Sequence, residues 1–287
     1  MITIIISSYQ PNFYTALEKN IAETCGVTYE IIKIENPGVM GICEAYNKGA
    51  EKAKSDYLLF LHEDVLFHSK NWGEKLISHL ENPETGIIGV AGSNYVPIAP
   101  CGWYVEGYSY VHLLQNIKSK EEKIFVNSAT QNRNRVFAMD GVFLAMQKAK
   151  AQEFRFDEKI GGYHAYDLDI SLRISKKYKN YVVSDIFIEH FSKGNPDKAF
   201  LDGNILVRKK CGSKFKTVQD NKIEMRCFAD FLYTYFKYSG INLRNALSTV
   251  RFIPRSRIGF SEYIVLLKTY YRYFKYKNYH QEKFAKD

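Results

Sequence analysis

Ser55 to Val65 reads S-D-Y-L-L-F-L-H-E-D-V. The apolar run Tyr57 to Leu61 has the continuity of a strand buried on both faces, and it stops abruptly at His62, Glu63 and Asp64. In an open parallel sheet, ligands sit beyond the carboxyl ends of the strands, so metal-ligating side chains at this end are where phosphate chemistry would be placed. A hard divalent cation takes oxygen ligands, which Asp64 and a diphosphate could supply together. An acidic strand-to-loop exit without function reads equally well from this stretch alone.

Outward from it, the same pattern repeats. Ile2 to Ile6 reads as a buried strand, followed by the turn Ser7-Ser8-Tyr9-Gln10-Pro11-Asn12 and a helix from Phe13 to Thr24 with Asn12 as its cap. Tyr29 to Glu35 is a second strand, ending in polar Glu35 and Asn36 before Pro37-Gly38. Gly41 to Lys54 carries Ile42, Ala45, Tyr46, Gly49, Ala50 and Ala53 at helical spacing and leads into the strand quoted above. These are two successive β-α-β units. Downstream, Ser69 is expected to cap a helix through Leu80, and Gly86 to Gly92 to form a glycine-rich strand. The irregular aromatic region 93–110, with Trp103, is a candidate substrate wall. Lys123 to Asn127 and Val136 to Gln147 read as strands, the second broken at Asp140-Gly141, where a bulge or a close ligand is expected. Gly161-Gly162 makes a turn, and Asp167 opens a helix through about Tyr178. Tyr181 to Phe191 ends at Glu189-His190, and a helix after Pro196 runs to about Lys210. The fold class is α/β, with a mostly parallel central sheet flanked by helices over residues 1–212 and a mainly helical extension over 213–287.

The composition fits a globular chain: of 287 residues, 46% are hydrophobic and 25% charged. The aromatic share of 15%, including 22 Tyr and 19 Phe, exceeds what a core requires and suits sugar rings, nucleobases or a membrane interface. A net charge of +9 favours an anionic partner. Five cysteines without a C-x-x-C pair indicate neither a zinc ribbon nor a disulfide framework, which suits a reducing compartment. With no cleavable leader pattern and no run of transmembrane length, the expected location is the cytoplasm, with attachment to a membrane only at its surface. From Arg251 onward Lys and Arg far outnumber Asp and Glu. In Tyr263 to Phe274, Tyr263, Ile264, Leu267, Tyr270, Tyr271 and Phe274 share a stripe, with Lys268, Arg272 and Lys275 elsewhere, as in helices that lie on membranes. A helix packed on the preceding domain or on a second subunit is the competing expectation.

Placed side by side, the polar ends Ser7 to Tyr9, Glu35-Asn36, His62-Glu63-Asp64, Asp140-Gly141, Asp167 and Glu189-His190 could face one crevice. The ordered series S-S-Y-Q, G-I-C-E-A-Y-N-K-G, L-H-E-D-V, D-G and Y-D-L-D-I-S-L-R resembles the family 2 glycosyltransferases of GT-A fold, and among them the streptomycin-biosynthesis-type subgroup, over residues 1 to 210. The resemblance implies that Ser7, Tyr9 and Glu35 contact the nucleoside, that Asn47 lies near the donor with Gly141, and that Glu63 lies near the ribose. It implies that Asp64 holds a divalent cation, Mn or Mg, with His190 and His62 as further ligands. It implies that Asp167 is the general base, with Trp103, Asp140 and Tyr166 toward the acceptor. His62 stands where the family has an acid, and Tyr166 where it has a glutamate.

The implied activity is inverting transfer of a sugar from a nucleotide-diphosphate donor to a glycan or glycolipid hydroxyl in surface polysaccharide or glycolipid synthesis. A homodimer and a peripheral membrane contact through the tail are compatible with it. Two other readings compete: a GT-A-like domain that binds nucleotide sugar without transfer, and a nucleic-acid binder using the basic tail. The second has no use for the acidic and histidine residues at strand ends, so no nucleic-acid partner is expected. Asp169 with Arg173 forms an i,i+4 ion pair and reads as structural.

Overall fold

Ile2–Ser8 forms β1 at the centre of a parallel trio, with β2 (Tyr29–Glu35) on one side and β3 (Tyr57–Leu61) on the other. The helices between them are α1 (Pro11–Thr24) and α2 (Ile42–Lys52). This is a computed structural model describing residues 1–117, 122–192, 194, 196–213, 215 and 218–286. Ile4, Ile5 and Ile6 of β1 and Leu58 to Leu61 of β3 are fully buried, as continuous apolar runs in a two-sided sheet must be. Then come β4 (Val65–Phe67), α3 (Trp72–Leu80), β5 (Thr85–Gly89), β6 (Ala91–Ser93), β7 (Ser109–Ile117) and β8 (Glu122–Asn127). β9 (Arg133–Val136), β10 (Ala138–Met139), β11 (Phe143–Gln147), α4 (Lys148–Phe154), α5 (Tyr166–Ile174), β12 (Lys179–Val183) and β13 (Ile188–His190) complete the first unit.

Seven strands form one sheet in the order β2-β1-β3-β11-β5-β12-β9, and a second sheet runs β10-β6-β7-β13-β4 with β8 on β7. The main sheet is mixed rather than mostly parallel, because β11 lies antiparallel to both β3 and β5, and β9 antiparallel to β12. The expected strand over 86–92 is two strands in two sheets, β5 and β6, and the break at Asp140-Gly141 separates β10 from β11 in the same way.

Two expected caps belong elsewhere. α1 begins at Pro11, whose fixed φ suits a first helical position, so Asn12 lies inside the helix. α3 begins at Trp72, and the Ser69 hydroxyl instead accepts from the Phe187 N–H at 2.9 Å, tying the β4–α3 connection to the strand-to-strand turn before β13.

The chain divides into two compact units, Met1–Tyr95 with Trp103–Asn195, and Val96–Gly102 with Pro196–Asp287. The second holds α6 (Lys198–Cys211), α7 (Asn221–Ser239), α8 (Leu243–Val250), α9 (Phe260–Lys275) and α10 (Lys277–Lys286). α6 falls in this unit rather than in the expected 1–212 domain because Leu201 packs into a core with Phe228, Phe236, Leu266 and Tyr273. Segment 96–102 joins through the Glu224 carboxylate, which accepts from the Ile98 N–H at 3.0 Å while forming a buried ion pair with Arg257 at 2.5 Å.

Candidate active site

Where β3 ends, the chain crosses from the first sheet to the second through His62, Glu63 and Asp64. Two ladders fix the crossing. The His62 N–H donates to the Val142 carbonyl at 3.2 Å, extending the β3–β11 pairing, while β4 pairs antiparallel with β13 so that His190 lies opposite Val65. The Phe191 N–H then donates to the Asp64 carbonyl at 3.0 Å. The result is convergence of side chains from two sheets: His62 Nδ1 is 3.9 Å and His190 Nε2 3.7 Å from Asp64 Oδ1. One side-chain donor atom from each of the three lies within 4.8 Å of the others, close enough that they could hold a metal ion.

Burial lowers the pKa of both imidazoles, against the opposing pull of Asp64. Neutral rings offer lone pairs. Two nitrogens and one carboxylate oxygen form a donor set that fits a first-row divalent ion such as manganese better than magnesium, which prefers oxygen alone.

His62 is held in place from behind. Its Nε2 lies 2.7 Å from the Tyr166 hydroxyl, so Nδ1 faces Asp64. Tyr166 is buried at the start of α5, edge-on to Tyr46 at 5.8 Å, and a methyl on Gly141 would overlap its hydroxyl. The absence of a Cβ at Gly141 therefore gives Tyr166 its place. The Gly141 N–H donates to Asp167 Oδ2 at 3.0 Å, and the Leu168 N–H to Asp167 Oδ1 at 2.8 Å. Burial first, and the neighbouring Asp140 carboxyl second, push the Asp167 carboxyl from 3.8 up to about 7. Burial likewise raises Asp140, although it accepts from the Val142 N–H at 2.7 Å and from Trp103. A carboxyl near neutrality can take a proton and hold it.

On the other side of His62 opens a cavity of about 510 Å³, lined by Ser7, Tyr9, Gly38, Glu63, Asp64 and Tyr166 among others. A larger cavity of about 640 Å³ beyond the 9–11 turn is lined by Phe13, Val65 and Phe191 and has neither carboxylate nor histidine in its wall. The smaller one has His62, Glu63 and Asp64 in its wall.

The family description "Glycosyltransferase like family" matches residues 3–196. The chain belongs to this glycosyltransferase-like family. No curated protein sequence matches it. Among solved structures, it is similar to GalNAc-T7 crystallised with UDP, GalNAc and Mn2+, with a TM-score of 0.52 and 12% identity over 73% of this chain and 47% of that one. It is also similar to residues 1–349 of S. aureus TarS, with a TM-score of 0.51 and 11% identity over 89% and 81% of the two chains. TarS in complex with UDP-GlcNAc gives a TM-score of 0.50 at 12% identity, over 89% and 82%. The chain thus spans about half of GalNAc-T7 and about four fifths of the TarS fragment. The architecture is the GT-A fold, an α/β core followed by a helical C-terminal region.

In this chain, several residues expected at the donor have other partners. Glu35 lies at the exposed end of β2, ion-paired with Lys33 at 2.6 Å, and does not line the cavity. Its neighbour Asn36 is buried and donates both to the Ser7 hydroxyl and to the Met40 carbonyl, at 3.1 Å each, shaping the loop that carries Pro37 and Gly38. Asn47 is committed to the 156–158 segment, donating to the Phe156 carbonyl at 2.9 Å and to Glu158 at 2.8 Å. Glu63 lines the cavity, but its carboxylate accepts from the N–H groups of Tyr9 and Gln10 at 3.1 and 3.0 Å and so fixes the turn that opens α1. Asp169 pairs with Arg173 at 2.7 Å, as its spacing predicts. The positioning roles of Asn36 and Tyr166 escape the sequence, although Asn36 stands beside the polar strand end already noted.

Proposed function

We propose that the protein is a metal-dependent, inverting glycosyltransferase that moves a sugar from a nucleoside-diphosphate donor, a uridine diphosphate sugar in the first instance, to a hydroxyl of a glycan or glycolipid acceptor. The observation that carries this is the meeting of His62, Asp64 and His190, of which His62 and Asp64 line the 510 Å³ cavity, with Asp167 next to the cavity-lining Tyr166 in the chain and held by the Gly141 N–H. The uridine preference draws support from the UDP and UDP-GlcNAc of the structurally similar proteins.

His62, Asp64 and His190 would hold a divalent cation, which as a Lewis acid stabilises the negative charge gained by the departing diphosphate. Ser7 and Tyr9, on the first strand's exit, border the nucleoside side of the cavity. Tyr166 keeps His62 in its ligating orientation, as outer-shell partners of metal ligands do. Asp167 accepts the proton of the acceptor hydroxyl as that oxygen bonds to the anomeric carbon from the face opposite the leaving group. The bond from the anomeric carbon to the diphosphate oxygen breaks, its electron pair leaves with the diphosphate, and the anomeric centre inverts. Trp103 and Asp140 border the acceptor side.

A thermal-shift panel of UDP, GDP and dTDP with and without manganese tests the reading. A diphosphate near a hundred times its Kd adds about 2.7 kcal/mol to the folded state, a rise of a few degrees for a chain of this size. The expected result is a rise that needs both nucleotide and cation and is lost in Asp64→Ala. Indifference to every diphosphate in the presence of manganese would overturn it.

A further inference from the structure

Helix α9 carries two apolar stripes, and only one of them is used. Tyr263, Leu266, Tyr270 and Tyr273 recur at helical spacing and turn inward, where Leu266 and Tyr273 are buried and the Tyr270 hydroxyl lies 2.6 Å from Thr249 Oγ1. The stripe expected from the sequence therefore divides: Tyr263 and Tyr270 belong to the core. The second stripe, Phe260, Ile264, Leu267, Tyr271 and Phe274, follows the same i, i+4, i+7 rhythm about a quarter-turn round the helix. It faces outward, with Phe260 81% and Tyr271 62% exposed.

Charge lies beside this second stripe. Lys268, Arg272 and Lys275 follow it along one flank, all exposed, and the Lys275 ammonium lies 5.6 Å from the Tyr271 ring and 5.4 Å from the Tyr276 ring. Residues 251–287 contain nine Lys and Arg against three Asp and Glu, most of the chain's net charge of +9. An exposed row of large apolar side chains marks a contact surface. A two-fold contact with a second copy would set the same three cations against themselves, since an isologous interface opposes a patch to itself. An anionic bilayer, in contrast, matches both halves of the face: aromatic and aliphatic side chains enter the headgroup boundary while the flanking cations meet phosphate. Among the described residues no helix is long and apolar enough to cross a membrane, so the contact is one of lying on the surface.

We propose that the outward face of α9, Phe260, Leu267, Tyr271 and Phe274 with Lys268, Arg272 and Lys275, is a docking surface for an anionic lipid bilayer. The inference does not depend on the transfer reaction, and its test contains neither donor nor metal.

The full chain is sedimented with vesicles of phosphatidylcholine alone and with about a quarter phosphatidylglycerol, at about 0.1 M and about 1 M salt, where the screening length falls from about 10 to about 3 Å. Binding to the anionic vesicles, lost at high salt and weak on the neutral ones, is expected. Reversing Lys268, Arg272 and Lys275 to Glu should weaken it by about a hundredfold or more, at roughly fivefold for each lost cation. Replacing Phe260, Leu267, Tyr271 and Phe274 by Ser should abolish it while leaving the melting temperature within a degree or so, because exposed side chains contribute little to the core. Phe274→Trp, a single change, provides a check independent of those multiple variants: its emission should shift to the blue on anionic vesicles. Absence of binding by the full chain, binding undiminished in both variant sets, or a dimer that the serine variant dissociates would each overturn the proposal.

Discussion

Asp167→Asn separates the chemistry proposed for this carboxyl from its effect on the fold. In the folded protein Asp167 holds its proton up to about pH 7, whereas an unfolded chain releases it near 3.8. Between those values the native state binds more protons, so wild-type stability falls as pH rises through this window and the contribution is fully lost above about 7. About three decades at about 1.4 kcal/mol each set an upper bound near 4 kcal/mol. Asp167 keeps part of its surface open to solvent, which reduces the expected figure to about 2 kcal/mol. Asparagine cannot ionise, and the interval from pH 5 to pH 8 takes in about two of those three decades, so the variant's stability relative to wild type should rise by about 1 kcal/mol across it. Any fixed offset, such as a weakened bond from the Gly141 or Leu168 N–H, cancels in the comparison. Urea unfolding of both proteins in EDTA at the two pH values measures it. A stability difference that is the same at both would refute the claim that burial and Asp140 raise this group. In transfer, the same variant should keep donor binding and lose a factor on the order of a hundred to ten thousand, as for loss of a general base, and the wild-type rate should climb with pH up to about 7 because the deprotonated form is the active one. Near-normal turnover would move the base elsewhere.

Tyr166→Phe removes only the hydroxyl bonded to His62, so manganese affinity measured by calorimetry should drop by roughly ten- to a hundredfold with the fold retained; unchanged affinity would deny Tyr166 its positioning role. Gly141→Ala forces a methyl into the Tyr166 hydroxyl and should cost about 1–3 kcal/mol in denaturant unfolding, and a neutral result would show that the ring has room to move. Glu63→Gln should leave the metal ligands in place but loosen the turn at Tyr9 and Gln10, costing about 1–2 kcal/mol and weakening nucleotide binding in the thermal-shift assay. Arg257→Ala strands the buried Glu224 carboxylate and should destabilise the C-terminal unit by about 3–5 kcal/mol, readable as an early unfolding transition; a single transition at the wild-type midpoint would contradict that burial.

Local pattern determined a good deal of this protein. Continuous apolar runs made β1 and β3 legible, because a strand buried on both faces has no polar side to alternate with; the polar residues after β3 singled out His62 and Asp64, the break in the 136–147 strand singled out Asp140, and the helix start after Gly161-Gly162 singled out Asp167. The i,i+4 spacing of Asp169 and Arg173 was enough to set that carboxylate apart from its neighbour Asp167. Tertiary structure decided the rest, for reasons that sequence spacing cannot carry. His62 and His190 are far apart in the chain and meet at Asp64 only because β3–β11 belongs to one sheet and β4–β13 to the other. Glu63 and Asn47 are polar and lie within the expected motifs, yet their hydrogen-bonding capacity is taken up by the backbone of residues 9–10 and by the 156–158 segment, partners that exist only after folding. Gly141 read as a place where a ligand approaches, and what approaches is Tyr166. In α9 the helical period announced one broad apolar stripe, but which tyrosines face the core and which face outward depends on what packs against the helix, and that is a property of the folded unit alone.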